Sequence, residues 1–231
     1  MKLSIVIPVY NEEATLETII SKVQEAPLPH GLSREIVIVN DGSSDRTTEI
    51  LKRWGDKPGW IIVHQINQGK AAALLTGFKQ ATGDIFLIQD ADLEYDPMEY
   101  PKLLNPILDG SSQVVYGSRF LGRIKDMEPV NRWANQISNQ TVKMLYGVGM
   151  TDINTCYKVF TRQALEGITI TSQRFAFDTE FTVKLLRLGY SIREVAIDYT
   201  ARSRQAGKKI NWTTALEMYW QIIKYRFIGG R

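Results

Sequence analysis

Two aspartates, separated by one residue, follow a short apolar run near the middle of this 231-residue chain. The run is Asp84–Gln89, and the acids are Asp90 and Asp92. Carboxylates at this spacing, on a bend that leaves a strand, can both reach one hard cation. Mg²⁺ or Mn²⁺ is commonly shared between such oxygens and a substrate diphosphate, where it offsets the charge on a departing nucleotide. The alternative is an acidic pair that only begins a turn.

Polar residues also follow two other apolar runs. Asp41, in the segment Asn40–Asp45, can accept hydrogen bonds from a nucleobase or a ribose, and Gly42 lets the backbone turn closely. Glu12, just after the first run, can accept hydrogen bonds from a pair of ribose hydroxyls. The alternative for Asn40–Asp45 is a turn that leads to a helix N-cap at Asp45, and the two interpretations are compatible.

Another polar segment, Asn67–Lys70, opens a predicted helix. Helix N-termini attract anions through their unpaired N–H groups, and Lys70 adds a positive charge. The segment therefore predicts either a phosphate contact or a capped helix with a surface lysine.

The elements that must position these residues alternate along the first half of the chain. Short β-branched apolar runs predict buried strands at Leu3–Val9, Glu35–Val39, Ile61–His64, Asp84–Gln89 and Gln113–Tyr116. Amphipathic patterns predict helices at Glu13–Glu25, from Asp45 to about Trp54, and at Gln68–Ala81. This alternation predicts an α/β fold with a mostly parallel sheet and helices on both faces. The polar segments then lie at the carboxyl ends of their strands, where they converge on one crevice.

The second half of the chain is less regular. Its patterns predict helices at Asn131–Tyr146 and Phe177–Leu188, a strand at Ser191–Ile197 and a last helix at Asn211–Phe227. We expect one domain over residues 1–210 and a C-terminal amphipathic helical extension over residues 211–231.

The last predicted helix carries large apolar side chains at helical spacing: Trp212, Leu216, Tyr219, Trp220, Ile223 and Phe227. Aromatic residues flanked by lysine and arginine suit a helix that lies in an anionic membrane interface. The alternative is a helix that packs this stripe on the domain or on a second subunit.

Composition narrows the classes of protein. Hydrophobic residues make up 44% of the chain and charged residues 23%, which is ordinary for a globular protein and excludes disorder. A net charge of +3 is too small to indicate nucleic-acid binding. Residues 201–231 hold seven Lys/Arg against one acid, which favours an anionic partner at that end.

Targeting features are sparse. The apolar run at the N-terminus ends at Asn11, which leaves no room for a signal peptide, and no stretch approaches the ~18 uncharged apolar residues that span a bilayer. The single cysteine, Cys156, fits a reducing compartment. We expect a cytoplasmic protein, peripheral on the cytoplasmic face of a membrane.

Four segments, in this order, resemble a known family. They are Ile5–Glu12 (IVIPVYNE), Val39–Asp45 (VNDGSSD), Asn67–Lys70 (NQGK) and Asp90–Leu93 (DADL). Together they resemble glycosyltransferase family 2, and within it the branch of dolichol-phosphate mannosyltransferases and polyprenyl-phosphate glycosyltransferases. The resemblance continues through Tyr116–Phe120, Thr151–Lys158, Phe177–Glu180 and Gly207–Ile210, so it spans nearly the whole chain.

The resemblance implies a GT-A (Rossmann-like) fold and an inverting, metal-dependent enzyme. The enzyme would move a hexose from a nucleotide-sugar, GDP-mannose or UDP-glucose, to a polyprenyl (dolichyl-like) phosphate. The cofactor would be Mg²⁺ or Mn²⁺.

The resemblance also implies a role for each matching residue. The nucleotide-sugar would be held by Pro8, Tyr10, Glu12, Asp41, Lys70, Asp90, Ala91, Arg202 and Lys208. The metal would be held by Asp90, Asp92 and Glu94, although many relatives carry glutamine in place of Glu94. The catalytic residues would be Asp92, Arg119 and Arg132, with the two arginines at the acceptor phosphate. The Cys/Ser-Gly-Phe-Arg/Lys segment typical of relatives is here Cys156-Tyr157-Lys158, without the glycine, which leaves the choice of sugar open.

The chemistry of the acceptor separates the remaining alternatives. A phosphate is already ionised and needs no strong base, and arginine binds it bidentately. A soluble or polysaccharide hydroxyl acceptor would need a carboxylate base, for which Asp178 and Glu180 are the candidates. Both acids could instead only favour the N-terminus of a helix. A sugar nucleotidyltransferase, which releases pyrophosphate, is a further alternative.

Overall fold

The computed structural model describes residues 1–55, 57–171, 177–202 and 212–227, with the backbone alone for 212–218 and 221. Its strands are β1 (Lys2–Val9), β2 (Ser33–Asp41), β3 (Trp60–Gln65), β4 (Ile85–Ile88), β5 (Val114–Ser118), β6 (Ile124–Lys125), β7 (Lys158–Thr161), β8 (Arg193–Ala196) and β9 (Tyr199–Thr200). Its helices are α1 (Leu16–Glu25), α2 (Thr47–Lys52), α3 (Lys70–Gln80), α4 (Tyr100–Leu108), α5 (Pro129–Tyr146), α6 (Arg162–Glu166), α7 (Phe177–Arg187) and α8 (Trp212–Phe227).

Seven of the described strands form one sheet in the order β3-β2-β1-β4-β7-β5-β8, and β6 pairs with β9 in a small second sheet. Strands β1 to β4 are mutually parallel, so the predicted α/β fold with a mostly parallel sheet is confirmed. The side chains of β1, β2 and β4 are mostly buried, as in a sheet covered on both faces, whereas those of the edge strand β3 are half-buried or, at His64, exposed. The register places Val9 opposite Asn40, which brings the polar segments after β1 and β2 together at the carboxyl edge.

Strand β7 runs against its neighbours. It pairs antiparallel with both β4 and β5, and the sequence patterns did not predict it. Its first residue, Lys158, is fully buried, and the ion pair between its ammonium group and Asp178 offsets the cost of burying that charge. A charged residue at the start of a four-residue strand interrupts the apolar run on which strand prediction depends.

Helix α4 was also missed, since it contains Pro101 and Pro106. Pro101 lies in the first turn of the helix, where the missing N–H group costs nothing, and Pro106 lies near its end. The predicted N-cap at Asp45 is shifted by one residue. Arg46 directly precedes α2, and Asp45 accepts a hydrogen bond from the Thr47 backbone N–H at 3.0 Å.

Helix α8 packs on α5 and α7. The Tyr219 hydroxyl donates to the Ala134 carbonyl at 2.9 Å, and the Tyr146 hydroxyl donates to the Ile222 carbonyl at 2.9 Å. The predicted apolar stripe is therefore divided. Tyr219 turns inward together with Ile222, whereas Trp220, Ile223 and Phe227 are exposed.

The side chains of Trp212 and Leu216 lie outside the described part of the chain. The boundary expected at residues 210–211 also falls in a segment outside it, so the division into a domain and an extension stays a prediction. Among the described residues, no helix combines the length and the apolar character needed to cross a membrane.

Candidate active site

Asp41 ties the end of β2 to the segment that begins α3. Its carboxylate accepts hydrogen bonds from Gln65 Nε2 at 2.7 Å, from the Gln68 N–H at 2.9 Å and from the Gly69 N–H at 2.8 Å. A carboxylate has about four acceptor positions, so one further hydrogen bond to a nucleoside is compatible with this arrangement. Gly42 adopts a φ of +72°, and a Cβ there would lie 2.7 Å from the Asn67 backbone nitrogen. Only glycine permits this close approach.

The segments after β1 and β2 are bound to each other. The Asn11 N–H donates to Ser43 Oγ at 3.0 Å, and Asn11 Oδ1 accepts from the Ser44 N–H at 2.8 Å. These hydrogen bonds hold the two segments together at the carboxyl edge of the sheet. Of the predicted nucleoside contacts in the first segment, Pro8 is half-buried and Tyr10 is exposed.

Arg202 bridges two carboxylates in the middle of the crevice. Its Nη1 and Nη2 atoms donate to Glu12 at 2.9 and 3.2 Å, and Nη2 also lies 3.3 Å from Asp92 Oδ2. Glu12 and Arg202 are 190 residues apart in sequence, so the crevice joins the start of the chain to its C-terminal part.

Asp90 is held by Lys70. The ammonium nitrogen lies 2.7 Å from Oδ1 and 2.9 Å from Oδ2, and Cys156 Sγ lies 3.6 Å from the same nitrogen. Burial alone would raise the pKa of Asp90, but the adjacent Lys70 ammonium outweighs it and holds that pKa below its usual range. Burial alone would lower the pKa of Lys70, and the Asp90 carboxylate raises that pKa instead. The pair is therefore ionised.

The chain turns sharply between Asp92 and Glu94. Leu93 adopts a φ of +63°, in the left-handed region that non-glycine residues rarely occupy, and the Glu94 N–H donates to Asp92 Oδ1 at 3.1 Å. Glu94 Oε2 accepts a hydrogen bond from the Tyr199 hydroxyl at 2.6 Å, and Oε1 accepts one from the Arg202 backbone N–H at 2.7 Å. Arg202 thus contacts both carboxylates, Glu94 through its backbone N–H and Asp92 through its side chain.

The charges of this acidic cluster do not balance. We define the cluster as four carboxylates and two cations: Glu12, Asp90, Asp92, Glu94, Lys70 and Arg202. Its formal charge is negative by two. Burial, followed by repulsion from Asp90 and Glu94, raises the pKa of Asp92 to about 7. Hard oxygen donors with a deficit of two positive charges fit a divalent cation such as Mg²⁺ or Mn²⁺.

The three predicted metal ligands do not converge on one point. A side-chain cation already lies against each aspartate: Lys70 against Asp90 and Arg202 against Asp92. Within the described ranges, no group of three or more His, Cys, Asp or Glu residues is arranged to hold a metal ion. A cation at this cluster would therefore take part of its oxygen ligands from the donor diphosphate.

Arg119 lies beside the cluster in a buried ion pair. Its Nε and Nη2 atoms donate to the two oxygens of Asp152, each at 2.7 Å, and Nη2 also donates to Asn135 Oδ1 at 3.2 Å. The two N–H groups on Nη1 have no hydrogen bond within the described residues. Arg132, the second predicted acceptor contact, is exposed on α5 one turn before Asn135.

Both candidate carboxylate bases are engaged elsewhere. Asp178 Oδ1 lies 2.6 Å from Lys158 Nζ. Glu180 is fully buried, where it accepts hydrogen bonds from Thr171 and Tyr225 and pairs with Lys184. Glu180 thus fastens α8 to α7, as expected for a structural acid.

Several side chains that support the site have no role predicted from the sequence. Tyr100 and Tyr157 both donate to Gln89 Oε1 at 2.8 Å, and Gln89 Nε2 donates to the Asp90 carbonyl at 2.9 Å. Tyr157 therefore supports the acidic turn through Gln89. Tyr199 and Asp152 were also missed, because their partners are distant in sequence. The available signals were the unusual Tyr157 and the segment Thr151–Lys158, which contains Asp152.

The structure brings most of the predicted residues together at the carboxyl edge. The acidic cluster, the buried Ala91 and the nucleoside segments share the crevice, with Arg119 next to them. Arg132 lies on the neighbouring helix, and Lys208 falls outside the described residues.

A polar crevice and an acidic cluster at the carboxyl edge of a mostly parallel sheet are features of a GT-A glycosyltransferase. The chain belongs to glycosyl transferase family 2, whose model matches residues 4–169. The chain is also similar to glucosyl-3-phosphoglycerate synthase from Mycobacterium tuberculosis, crystallised with Mn²⁺, UDP-glucose and phosphoglyceric acid, at a TM-score of 0.77. That alignment covers 99% of this chain and 81% of the other at 19% identity, so it shows the GT-A fold alone.

Two relatives of known name are closer in sequence. The chain is 35% identical over 177 residues to undecaprenyl-phosphate 4-deoxy-4-formamido-L-arabinose transferase of Pseudomonas aeruginosa. That alignment covers 75% of this chain and 51% of the other protein. It is 28% identical over 250 residues to dolichol-phosphate mannosyltransferase of Pyrococcus furiosus. That alignment covers 99% of this chain and 68% of the other protein. The chain thus spans about half the length of the Pseudomonas relative.

Proposed function

We propose that this chain is an inverting glycosyltransferase that moves a hexose from a nucleotide-sugar to a polyprenyl phosphate. The observation that carries the proposal is the pairing of the candidate bases. Asp178 is bonded to Lys158 and Glu180 to Lys184, whereas the two N–H groups on Arg119 Nη1 make no hydrogen bond to any described residue. A phosphate acceptor needs guanidinium contacts and no base, while a hydroxyl acceptor needs the reverse.

The family and its named relatives support this choice of substrates. Both sequence relatives described above are transferases whose names specify a lipid phosphate acceptor. The proposed donor is GDP-mannose or UDP-glucose, held by the segments that contain Glu12 and Asp41. Arg202 Nε is buried without a hydrogen-bond partner in the described part of the chain, and a donor phosphate oxygen would satisfy it.

A divalent cation, Mg²⁺ or Mn²⁺, would be held by Asp90, Asp92 and Glu94 together with donor oxygens. It would supply Lewis-acid stabilisation of the departing nucleoside diphosphate. Arg119, with Arg132, would align a phosphate oxygen of the acceptor with the anomeric carbon. The new C–O bond would form on the face opposite the bond that breaks, and the nucleoside diphosphate would leave.

We further propose that the acceptor is reached at a membrane surface. Helices α5 and α8, which pack on each other, each expose apolar side chains at helical spacing, here called the outer helix face: Val130, Trp133, Ile137, Met144, Trp220, Ile223 and Phe227. Residues 129–146 include Arg132 and Lys143 but no acidic residue, and Lys224 and Arg226 add positive charge on α8. Apolar side chains among cations suit an anionic lipid surface, such as the cytoplasmic face of a membrane.

Transfer assays test the proposed function directly. The chain would be incubated with Mn²⁺, labelled GDP-mannose or UDP-glucose, and a short polyprenyl phosphate in detergent. Label should move into the organic phase with the phosphate acceptor and not with the matching polyprenyl alcohol. Transfer to soluble saccharides alone, or release of pyrophosphate from a nucleoside triphosphate and a sugar phosphate, would contradict the proposal.

A further inference from the structure

Tyr199 lies between the two halves of the proposed site. It is buried on β9, and its hydroxyl donates to Glu94 Oε2 at 2.6 Å. Its ring centroid lies 5.1 Å from Cζ of Arg119. One side chain therefore contacts both the acidic cluster and the arginine proposed to bind the acceptor phosphate.

The hydroxyl of Tyr199 determines how Glu94 is oriented. A free glutamate side chain has three rotatable bonds, and a carboxylate oriented by a single hydrogen bond can still rotate. Here Oε2 accepts from Tyr199 and Oε1 accepts from the Arg202 backbone N–H. Two donors on opposite oxygens hold the carboxylate beside Asp92.

The ring of Tyr199 covers Arg119. Asp152 binds the edge of the guanidinium through two N–H groups, and the tyrosine lies within the ~6 Å at which an aromatic ring attracts a cation. The ring is itself fixed, because Tyr95 packs edge-on against it at 5.2 Å and forms a backbone bridge with the same residue. Asp152 accepts from Nε and Nη2, so Nη1 is the guanidinium nitrogen of Arg119 that it does not bind.

We propose that Tyr199 is a positioning residue for both substrates. Its hydroxyl holds Glu94 for the cation on the donor side, and its ring holds Arg119 for the acceptor phosphate. This inference rests on the proposed function, and it assigns the two effects to different atoms of one side chain.

Two substitutions separate the effects. Tyr199→Phe removes only the hydroxyl, so the Kd for Mn²⁺, measured by titration calorimetry, should rise about tenfold, as for loss of a hydrogen bond to a charged group. Its Kd for a short prenyl phosphate should not change. Tyr199→Leu removes the ring as well, so the Kd for the prenyl phosphate should also rise, by about fivefold.

Tyr116→Phe is the matched control. Tyr116 is also fully buried, and its hydroxyl bonds to Thr182 at 2.9 Å, away from the acidic cluster. It should lose a similar amount of thermal stability yet keep both binding constants. The proposal is overturned if Tyr199→Phe binds Mn²⁺ as the unmodified chain does, or if Tyr199→Leu changes neither constant beyond the control.

The two binding measurements do not depend on turnover. An unmodified chain that binds both ligands with the expected variant effects, but transfers no sugar, would reject the proposed function and keep the positioning role. An unmodified chain that does not bind the prenyl phosphate would reject the acceptor half of this inference together with the proposed acceptor.

Discussion

The guanidinium of Arg119 and the carboxylate of Asp152 form a two-point ion pair, with both N–O distances at 2.7 Å. Asp152 is fully buried, and Arg119 is nearly so. Burial alone would lower the pKa of Arg119, but Asp152 raises it, so the guanidinium stays charged beside the acidic cluster. A charge held this firmly is available to a phosphate without further ordering of the side chain.

Removal of this arginine should slow sugar transfer strongly and leave donor binding unchanged. Arg119→Ala alone leaves Asp152 as an unpaired buried charge and should cost about 3–5 kcal/mol of unfolding free energy. The double variant Arg119→Met/Asp152→Asn avoids that penalty. It should lower the rate of transfer to polyprenyl phosphate about a hundredfold, as loss of one preorganised donor does. Its affinity for the nucleotide-sugar should be unchanged, and a double variant that transfers sugar at the normal rate would refute the role of Arg119.

Replacement of Arg202 should tighten metal binding and weaken donor binding. Its guanidinium lies between Glu12 and Asp92, where it competes with an added cation. Arg202→Gln should therefore lower the Kd for Mn²⁺ in the absence of donor by about tenfold, or ~1.4 kcal/mol. Titration calorimetry with Mn²⁺, and then with the nucleotide-sugar, measures both effects.

The control for that variant is Arg162→Gln. Arg162 bonds to the carbonyls of Ala81 and Gly83, apart from the acidic cluster. Its Kd for Mn²⁺ should match that of the unmodified chain. Equal or weaker Mn²⁺ binding by Arg202→Gln would show that the guanidinium does not compete for the cluster.

Stability in acid should depend on Glu35. Burial alone would raise its pKa, but hydrogen bonds from Ser4 and Thr82 outweigh burial and lower that pKa below its ordinary value of 4.5. A lowered folded-state pKa stabilises the fold above the ordinary value, and this stabilisation is lost as the pH falls through the folded-state pKa. Glu35→Gln should cost about 1–3 kcal/mol at pH 7 and much less near pH 3.

Urea unfolding at the two pH values measures this difference. Glu49→Gln, at an exposed position on α2, should change stability little at either pH. A Glu35→Gln variant that loses the same free energy at pH 3 as at pH 7 would exclude the ionised carboxylate as the cause.

Binding to lipid should depend on the outer helix face. Replacement of Trp133, Trp220 and Phe227 by serine removes three exposed apolar side chains and should reduce co-sedimentation with anionic vesicles about tenfold or more. The matched control replaces Ile66 and Met98, two exposed apolar residues elsewhere on the surface. Equal sedimentation of the triple variant and the unmodified chain would reject a membrane role for this face.

The elements predicted best are those whose residues are buried on both faces. Strand β1 lies in the middle of a parallel sheet, so its sequence is a nearly continuous apolar run, and its predicted bounds differ from the observed ones by one residue. Helix α4 was missed because its prolines are typical of helix ends, and strand β7 was missed because its buried lysine is not expected in an apolar run. Tertiary contacts, such as the ion pair between Lys158 and Asp178, stabilise elements of this kind, and the local sequence pattern does not reveal them.

The candidate site was predictable as a set of residue types and not as a set of partners. Strand-end position identified Asp41 and Asp90, because parallel strands bring their carboxyl ends together. The pairing of Asp90 with Lys70, and of Glu12 with Arg202, spans 20 and 190 residues and leaves no trace in local spacing. Spacing also gave no indication of Tyr199, whose neighbours come from distant segments.

Strand β7 enters the sheet at the carboxyl edge because it is antiparallel to β4 and β5. The segment that precedes it therefore delivers Asp152 and Cys156 to the crevice, whereas a parallel strand of four residues would have left them about 13 Å away, at the opposite edge. Insertions before strand β7 and insertions after it therefore have different consequences. An insertion between α5 and β7 would displace the partner of Arg119, whereas one after Thr161 would lengthen a connection remote from the substrates.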